Sequence, residues 1–275
     1  QVEAALGGRR AAVEAADLEA ARMARAKVAH TENAPNEEVR KVVADYNTKA
    51  GLEEPRSFTP VKHDEGLSKE IADWYEKAEN NPSDPEVQKS YESFNAETHA
   101  QYEHLVEQGW VFTPEKDPVL DAYQSAGHMR EDAAEKRLKV FTGGEPNKLM
   151  TPEQNFEFRA VHDVMAHTSE GYDFHPDGEF NAALKHSQSY SPDAQRALFN
   201  ETVGQNANLN YGPNGEFNRA NPGKEKFPEQ KAAILPQEFS NRLIEQRDRA
   251  INATIDSHPE FRARLDKLES APPLA

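Results

Sequence analysis

Three of the ten histidines of this chain fall within one stretch, FRAVHDVMAHTSEGYDFHPDGEF, residues 158–180. His162, His167 and His175 stand there beside Asp163, Glu170, Asp173 and Asp177. Imidazole and carboxylate are the side chains that bind divalent iron or zinc and that carry protons near neutral pH. His162 and His167 have the spacing H-x4-H. On a regular α-helix that step turns through about 140°, whereas the i, i+4 pair of many zinc sites turns through about 40°. Both imidazoles therefore meet one ion only if the helix ends or distorts near His167. Gly171 and the polar run TSEGYD provide such an end. Asp163 and His167 do have the i, i+4 spacing, which makes Asp163 a rival ligand.

Two further segments repeat polar residues at helical period. Glu179 and His186 lie seven apart, within about 20° of one another on a helix. Glu201 and Gln205 lie four apart, and Leu198, Phe199 and Val203 around Glu201 mark a helix facing the core. Buried Glu and His side chains are rare unless paired or bound to a metal. Three successive helices that each bring such residues inward predict an interior polar site. Glu179, His186 and Gln205 are expected to line it, orienting the ligands or touching substrate.

The motif HDVMAH, with Glu201 of FNETVGQN following 39 residues after His162, resembles the H-E-x-x-G-H … Glu arrangement of the pterin-dependent aromatic amino acid hydroxylases. That resemblance implies non-haem Fe(II) held by His162, His167 and Glu201, a facial set that leaves positions open for oxygen. Asp163 takes the place of the motif's acidic residue, beside the ligands or on the cofactor side. Ala166 stands where that family has Gly, and no pterin-binding stretch matches. A longer pattern, from DPEVQKSY through LMTPEQNFEFRAVHD to ETVGQN and FPEQKAAILP, resembles a family of proteins encoded by bacteriophages and related elements. It spans roughly residues 60–236 and implies a phage setting without a particular reaction.

These residues need helices to position them. Residues 1–30 are rich in Ala, Glu and Arg, with a thin stripe at Val13, Leu18 and Met23; they predict an exposed or partner-docking helix. Leu67, Ile71 and Trp74 define a second helix, and Val87, Tyr91, Phe94, Thr98, Tyr102 and Leu105 a third. Ser83 or Asp84 caps the latter, Pro85 sits at its first position and Gly109 ends it. WVFTPEKDP and RLKVFTGGEP read as short strands flanking a helix. Thr151, Pro152 and Gln154 open the helix that carries His162 with a capping box, and Ser191-Pro192 open the one that carries Glu201. Residues 210–228, rich in Gly, Pro and Asn, predict an irregular loop at the mouth of the site. PQEFSNRLIEQRDRAINATI is a late helix. The expected fold is mainly α: a multi-helix single domain with a few short strands, divided into an N-terminal helical extension (1–57) and a helical metal-site domain (58–275).

Composition narrows the function classes. The net charge is −16, with hydrophobic residues at 36% and charged residues at 29%. Such a surface does not displace counterions from a phosphate backbone, so bulk nucleic-acid binding is not expected. The chain has no cysteine, which excludes disulfides, thiolate zinc sites and a cysteine nucleophile. No apolar run reaches the roughly 18 residues of a spanning helix, and the sequence reads as soluble, in a bacterial cytoplasm or a phage particle. The start at Gln1 rather than Met fits a processed product or part of a longer one. The leading expectation is an Fe(II) oxygenase-like enzyme acting on a small molecule or polymer. A zinc hydrolase, with Asp163 or Glu179 as general base, uses the same residue types. A virion-associated protein that docks on other phage proteins through its N-terminal helix is the reading from another class.

Overall fold

The computed structural model describes residues 35–115, 123, 126–221, 224–258 and 262. The expected helix over residues 1–30, and the partner docking assigned to it, lie outside this range. Helix α1 (Glu37–Ala50) opens where the Asn36 side chain accepts hydrogen bonds from the Glu38 and Val39 amides. Asp64 caps α2 (Glu65–Lys77), and Asp84 caps α3 (Pro85–Glu107), with Pro85 in its first turn. Each of these caps satisfies amides that have no partner inside their own helix.

Strand β1 (Val111–Glu115) pairs in parallel with β2 (Arg137–Phe141), with Val111 opposite Arg137 and Glu115 opposite Phe141. Helix α4 (Ala126–Ala134) lies between them in the chain. Parallel neighbours need such a crossover.

The remaining helices carry the site. Helix α5 (Pro152–His162) has the full capping box between Thr151 and Gln154, and it continues directly into a π-helical turn, Asp163–Thr168. Helix α6 (Pro176–His186) ends in a 3-10 turn at Ser187–Ser189. Ser191 caps α7 (Pro192–Phe199), which runs through a second π turn, Asn200–Gly204, into α8 (Gln205–Tyr211). The short α9 (Gly215–Ala220) and the long α10 (Gln237–Ser257) complete a mainly α fold. Among the described residues, no helix is long and apolar enough to cross a membrane.

Two expectations need revision. The segment 210–228 is not an irregular loop throughout, because α9 forms within it. Asn218, nearly buried, holds that segment by donating to the Leu209 and Lys226 carbonyls and accepting from the Lys226 amide. Part of the span assigned to an N-terminal extension is built into the core: Val39, Val43 and Tyr46 of α1 pack with Leu105, Trp110, Met129 and Leu138.

The apolar interior forms three main clusters, and the site-bearing segments feed all of them. Phe158 of α5 packs with Tyr91, Phe94 and Leu198. Val161, Val164 and Met165 join the cluster that includes α1. Phe180 and Leu184 of α6 join Leu67, Ile71, Phe199 and Leu243. The histidine motif is thus held from several sides by close-packed side chains, which fixes its rotamers.

Candidate metal centre

The π turn resolves the geometric problem posed by H-x4-H. Its hydrogen bonds close from residue i to i+5, as in Ser169 N–H to the Val164 carbonyl. A five-residue step is then one closed turn, and His162 and His167 come to the same side. Their rings meet edge to face with centroids 5.0 Å apart. Gly171 ends the turn at φ 74°, where its amide and that of Tyr172 both donate to the His167 carbonyl. That left-handed conformation suits glycine. Chain reversal then delivers α6, with Gly178 packed so closely on the Asp173 carbonyl that a β-carbon would not fit.

Glu179, in the first turn of α6, completes the group. One donor atom from each of His162, His167 and Glu179 lies within 4.8 Å of the others. His167 Nε2 is 3.6 Å from Glu179 Oε2. Donors each about 2.1 Å from one ion stand about 3.0–3.4 Å apart in a facial or tetrahedral set, so the three side chains draw closer together to share an ion. His162 and His167 are buried, and Glu179 is partly exposed. Phe174, 37% exposed, packs edge-on against His167 and forms the outer wall.

The donor nitrogens can be assigned by following hydrogen bonds outward. Gln101 Nε2 donates to the Ser189 carbonyl at 2.9 Å, so its amide oxygen faces His186 Nε2 at 2.8 Å. An amide oxygen only accepts, so His186 carries its proton on Nε2 and offers a lone pair on Nδ1. His162 Nδ1, 3.0 Å from that atom, must then be the donor. The free lone pair of His162 is left on Nε2. His167 reaches the same state by a separate route, since its Nδ1 donates to the Tyr172 carbonyl at 3.2 Å. Each imidazole has its Nδ1 engaged, which leaves Nε2 as the nitrogen for an ion.

Electrostatics divide the two imidazoles. Burial, and then the neighbouring histidines, hold His162 well below the ordinary imidazole range. Burial, followed by the influence of His167, pushes His186 down to about 3. Burial also disfavours charge on His167, but the Glu179 carboxylate beside it outweighs that and raises its pKa, with a smaller contribution from Asp163.

The expected residues divide between two places. Glu179 and His186, expected to line the cavity, are both at the histidine group, with Glu179 in the position of a ligand and His186 behind His162. Asp163 stands at the start of the π turn, near enough to act on His167 through its charge. Glu201, expected as the carboxylate ligand, is the correction: it is absent from the group. Its carboxylate accepts from the Tyr91 hydroxyl, from Asn147 Nδ2 at 2.6 Å and from Gln205 Nε2 at 2.7 Å. Burial raises the Glu201 pKa against the opposing effect of these bonds. Its oxygens are already committed to neutral donors, and Gln205 serves that network rather than the histidines. Gln101 and the Tyr172 carbonyl, which set the two tautomers, carry no sequence pattern that marks them.

No family model, curated protein or solved structure matches the chain.

Proposed function

We propose that the chain is a metal-dependent enzyme that binds a divalent transition-metal ion through His162, His167 and Glu179. The observation that carries this reading is the pair of buried imidazoles, each anchored through Nδ1, that adjoin one carboxylate. Two histidines and one carboxylate are the donor set of non-haem Fe(II) oxygenases, and Fe(II) is the metal we favour. A bound iron would supply oxygen activation. The protein's part is to orient the three ligands, to hold His162 unprotonated, and to screen the site with Phe158, Phe174 and the surrounding core.

Zn(II) accepts the same donors. A zinc hydrolase also needs a general base beside the bound water. With Glu179 used as a ligand, Asp163 alone remains of the two carboxylates considered for that role.

The test is metal quantification after anaerobic and aerobic purification, with three variants in parallel. Wild-type protein should bind one equivalent of metal. His162→Ala and Glu179→Gln should each lose it, and Glu201→Gln should retain it. Retention by Glu179→Gln together with loss by Glu201→Gln would sink this ligand assignment. Oxygen consumption by the iron-loaded protein, absent from the zinc-loaded form, separates the two metals.

A further inference from the structure

Glu179 also borders a surface cleft between α6 and the α7–α8 segment, opposite a second set of polar groups. Glu179, Phe180, Thr202, Asn206, His63 and Tyr211 are among its lining residues. His63, just ahead of α2, is anchored twice to Asp177: its backbone amide donates to Oδ1 at 3.0 Å, and its ring Nδ1 meets the same oxygen. His63 Nε2 lies 2.7 Å from the Tyr211 hydroxyl. Asp177 Oδ1 already accepts the His63 amide, and a carboxylate oxygen has only acceptor capacity to offer the ring nitrogen beside it. In the neutral ring the proton on Nδ1 faces that oxygen, and Nε2 is left to accept from the Tyr211 hydroxyl. The only proton on the Tyr211 oxygen is committed. What that oxygen offers to the cleft is acceptor capacity alone.

Size and charge restrict the occupant further. The enclosed part of the cleft has room for about one water-sized or hydroxyl-sized group. Two carboxylates, Asp177 and Glu179, oppose an anion there. Lys69 Nζ and Arg219 Cζ, 5.7 Å and 5.3 Å from the Tyr211 ring centroid, occupy the surface that a cationic head group would use.

We propose that this cleft is a substrate subsite for a neutral hydroxyl group, an alcohol or sugar O–H that donates to Tyr211 Oη while the rest of the molecule extends outward. His63 and Asp177 are positioning residues that keep Tyr211 in its accepting state. The subsite rests on the metal reading only in calling the occupant a substrate, because Glu179 borders both places.

Glycerol is the probe, compared with acetate and methylammonium as small ions of each sign. Ligand-observed saturation-transfer NMR on the full chain, metal-free and zinc-loaded, should show binding of glycerol in both states and of neither ion. Tyr211→Phe removes one neutral hydrogen bond and should weaken glycerol binding by about tenfold, with zinc affinity unchanged. Ring-¹³C-labelled tyrosine gives a second readout: one resonance, absent in Tyr211→Phe, should shift with glycerol. Failure of glycerol to bind, equal binding of either ion, or binding undiminished in Tyr211→Phe overturns the subsite. Failure of the wild-type protein to take up any metal overturns the function proposed above and leaves the glycerol result to stand by itself.

Discussion

At the scale of single residues, burial of imidazole makes acid stability a sharp readout of the histidine group. His186 moves from an ordinary 6.5 to about 3 on folding, and His162 moves in the same direction. The unfolded chain therefore binds more protons than the folded one between these values. Stability is fully present above pH 6.5 and falls as pH drops through that window. A tenfold difference in proton affinity between the folded and unfolded chain is worth about 1.4 kcal/mol. His167, raised by Glu179, works in the opposite sense, contributing stability that is lost as pH rises through its folded pKa. With two imidazoles of this group lowered against one raised, the metal-free protein should lose stability between pH 7 and pH 5. Urea denaturation across that range measures it. His186→Gln can still accept from His162 and donate to Gln101, so the fold should survive with a visibly shallower pH slope. Equal slopes for wild type and variant would refute the account.

At the scale of elements, the π turn at Asp163–Thr168 is one residue more than a regular helix holds, and that surplus brings two histidines together. Deleting Ala166 leaves H-x3-H, which a regular helix already places on one face. The deletion variant should therefore keep metal binding, whereas insertion of one alanine after Ala166 should abolish it. Metal stoichiometry of the two variants decides. The same element shows what could be read in advance. The capping box at Thr151 and Gln154, the Ser191 and Asp84 caps and the end at Gly171 all follow from local hydrogen-bond chemistry, and so were legible. The need for a distortion near His167 was legible as well. Its form was not, because a π turn arises from packing on both sides of the helix. The choice of Glu179 over Glu201 was hidden for a related reason. Both stand on core-facing helices, and only the partners contributed by α3 and residue 147, far away in sequence, show that Glu201 is already satisfied.

At the scale of the whole molecule, a buried ionic knot ties the site to elements distant in sequence. Glu170, three residues past His167, pairs with Lys185 at 2.8 Å and with Arg40 of α1 at 2.5 Å, and accepts from Ser57. Glu170 and Lys185 are each 3% exposed, and Lys185 directly precedes His186. The Asn36 amide also donates to the Ser169 carbonyl. Removing one member of a buried pair strands the other charge, at a cost of about 3–5 kcal/mol. Lys185→Met should fall in that range by chemical denaturation, moderated by the remaining Arg40. The double variant Glu170→Gln/Lys185→Met should recover much of the loss, because no stranded carboxylate remains. A double variant as unstable as the sum of the two single ones would show that the pair does not act as a unit.

The row of hydrogen bonds from the Ser189 carbonyl through Gln101 and His186 to His162 has a thermochemical consequence. Metal sites usually expel protons as they fill, since their ligands must first be stripped of them. Here His162 is already stripped, with its lone pair aimed outward before any ion arrives, and His186 behind it stays neutral as well. Of the three imidazoles, only His167 has a proton to give up. Calorimetric titration of the metal-free protein near pH 7, repeated in buffers of different ionisation enthalpy, should therefore register the release of no more than about one proton per ion from these groups. A Gln101→Leu variant, which frees His186 and His162 to exchange tautomers, should bind the ion more weakly, by about 10- to 100-fold, as is typical when a group behind a ligand is removed.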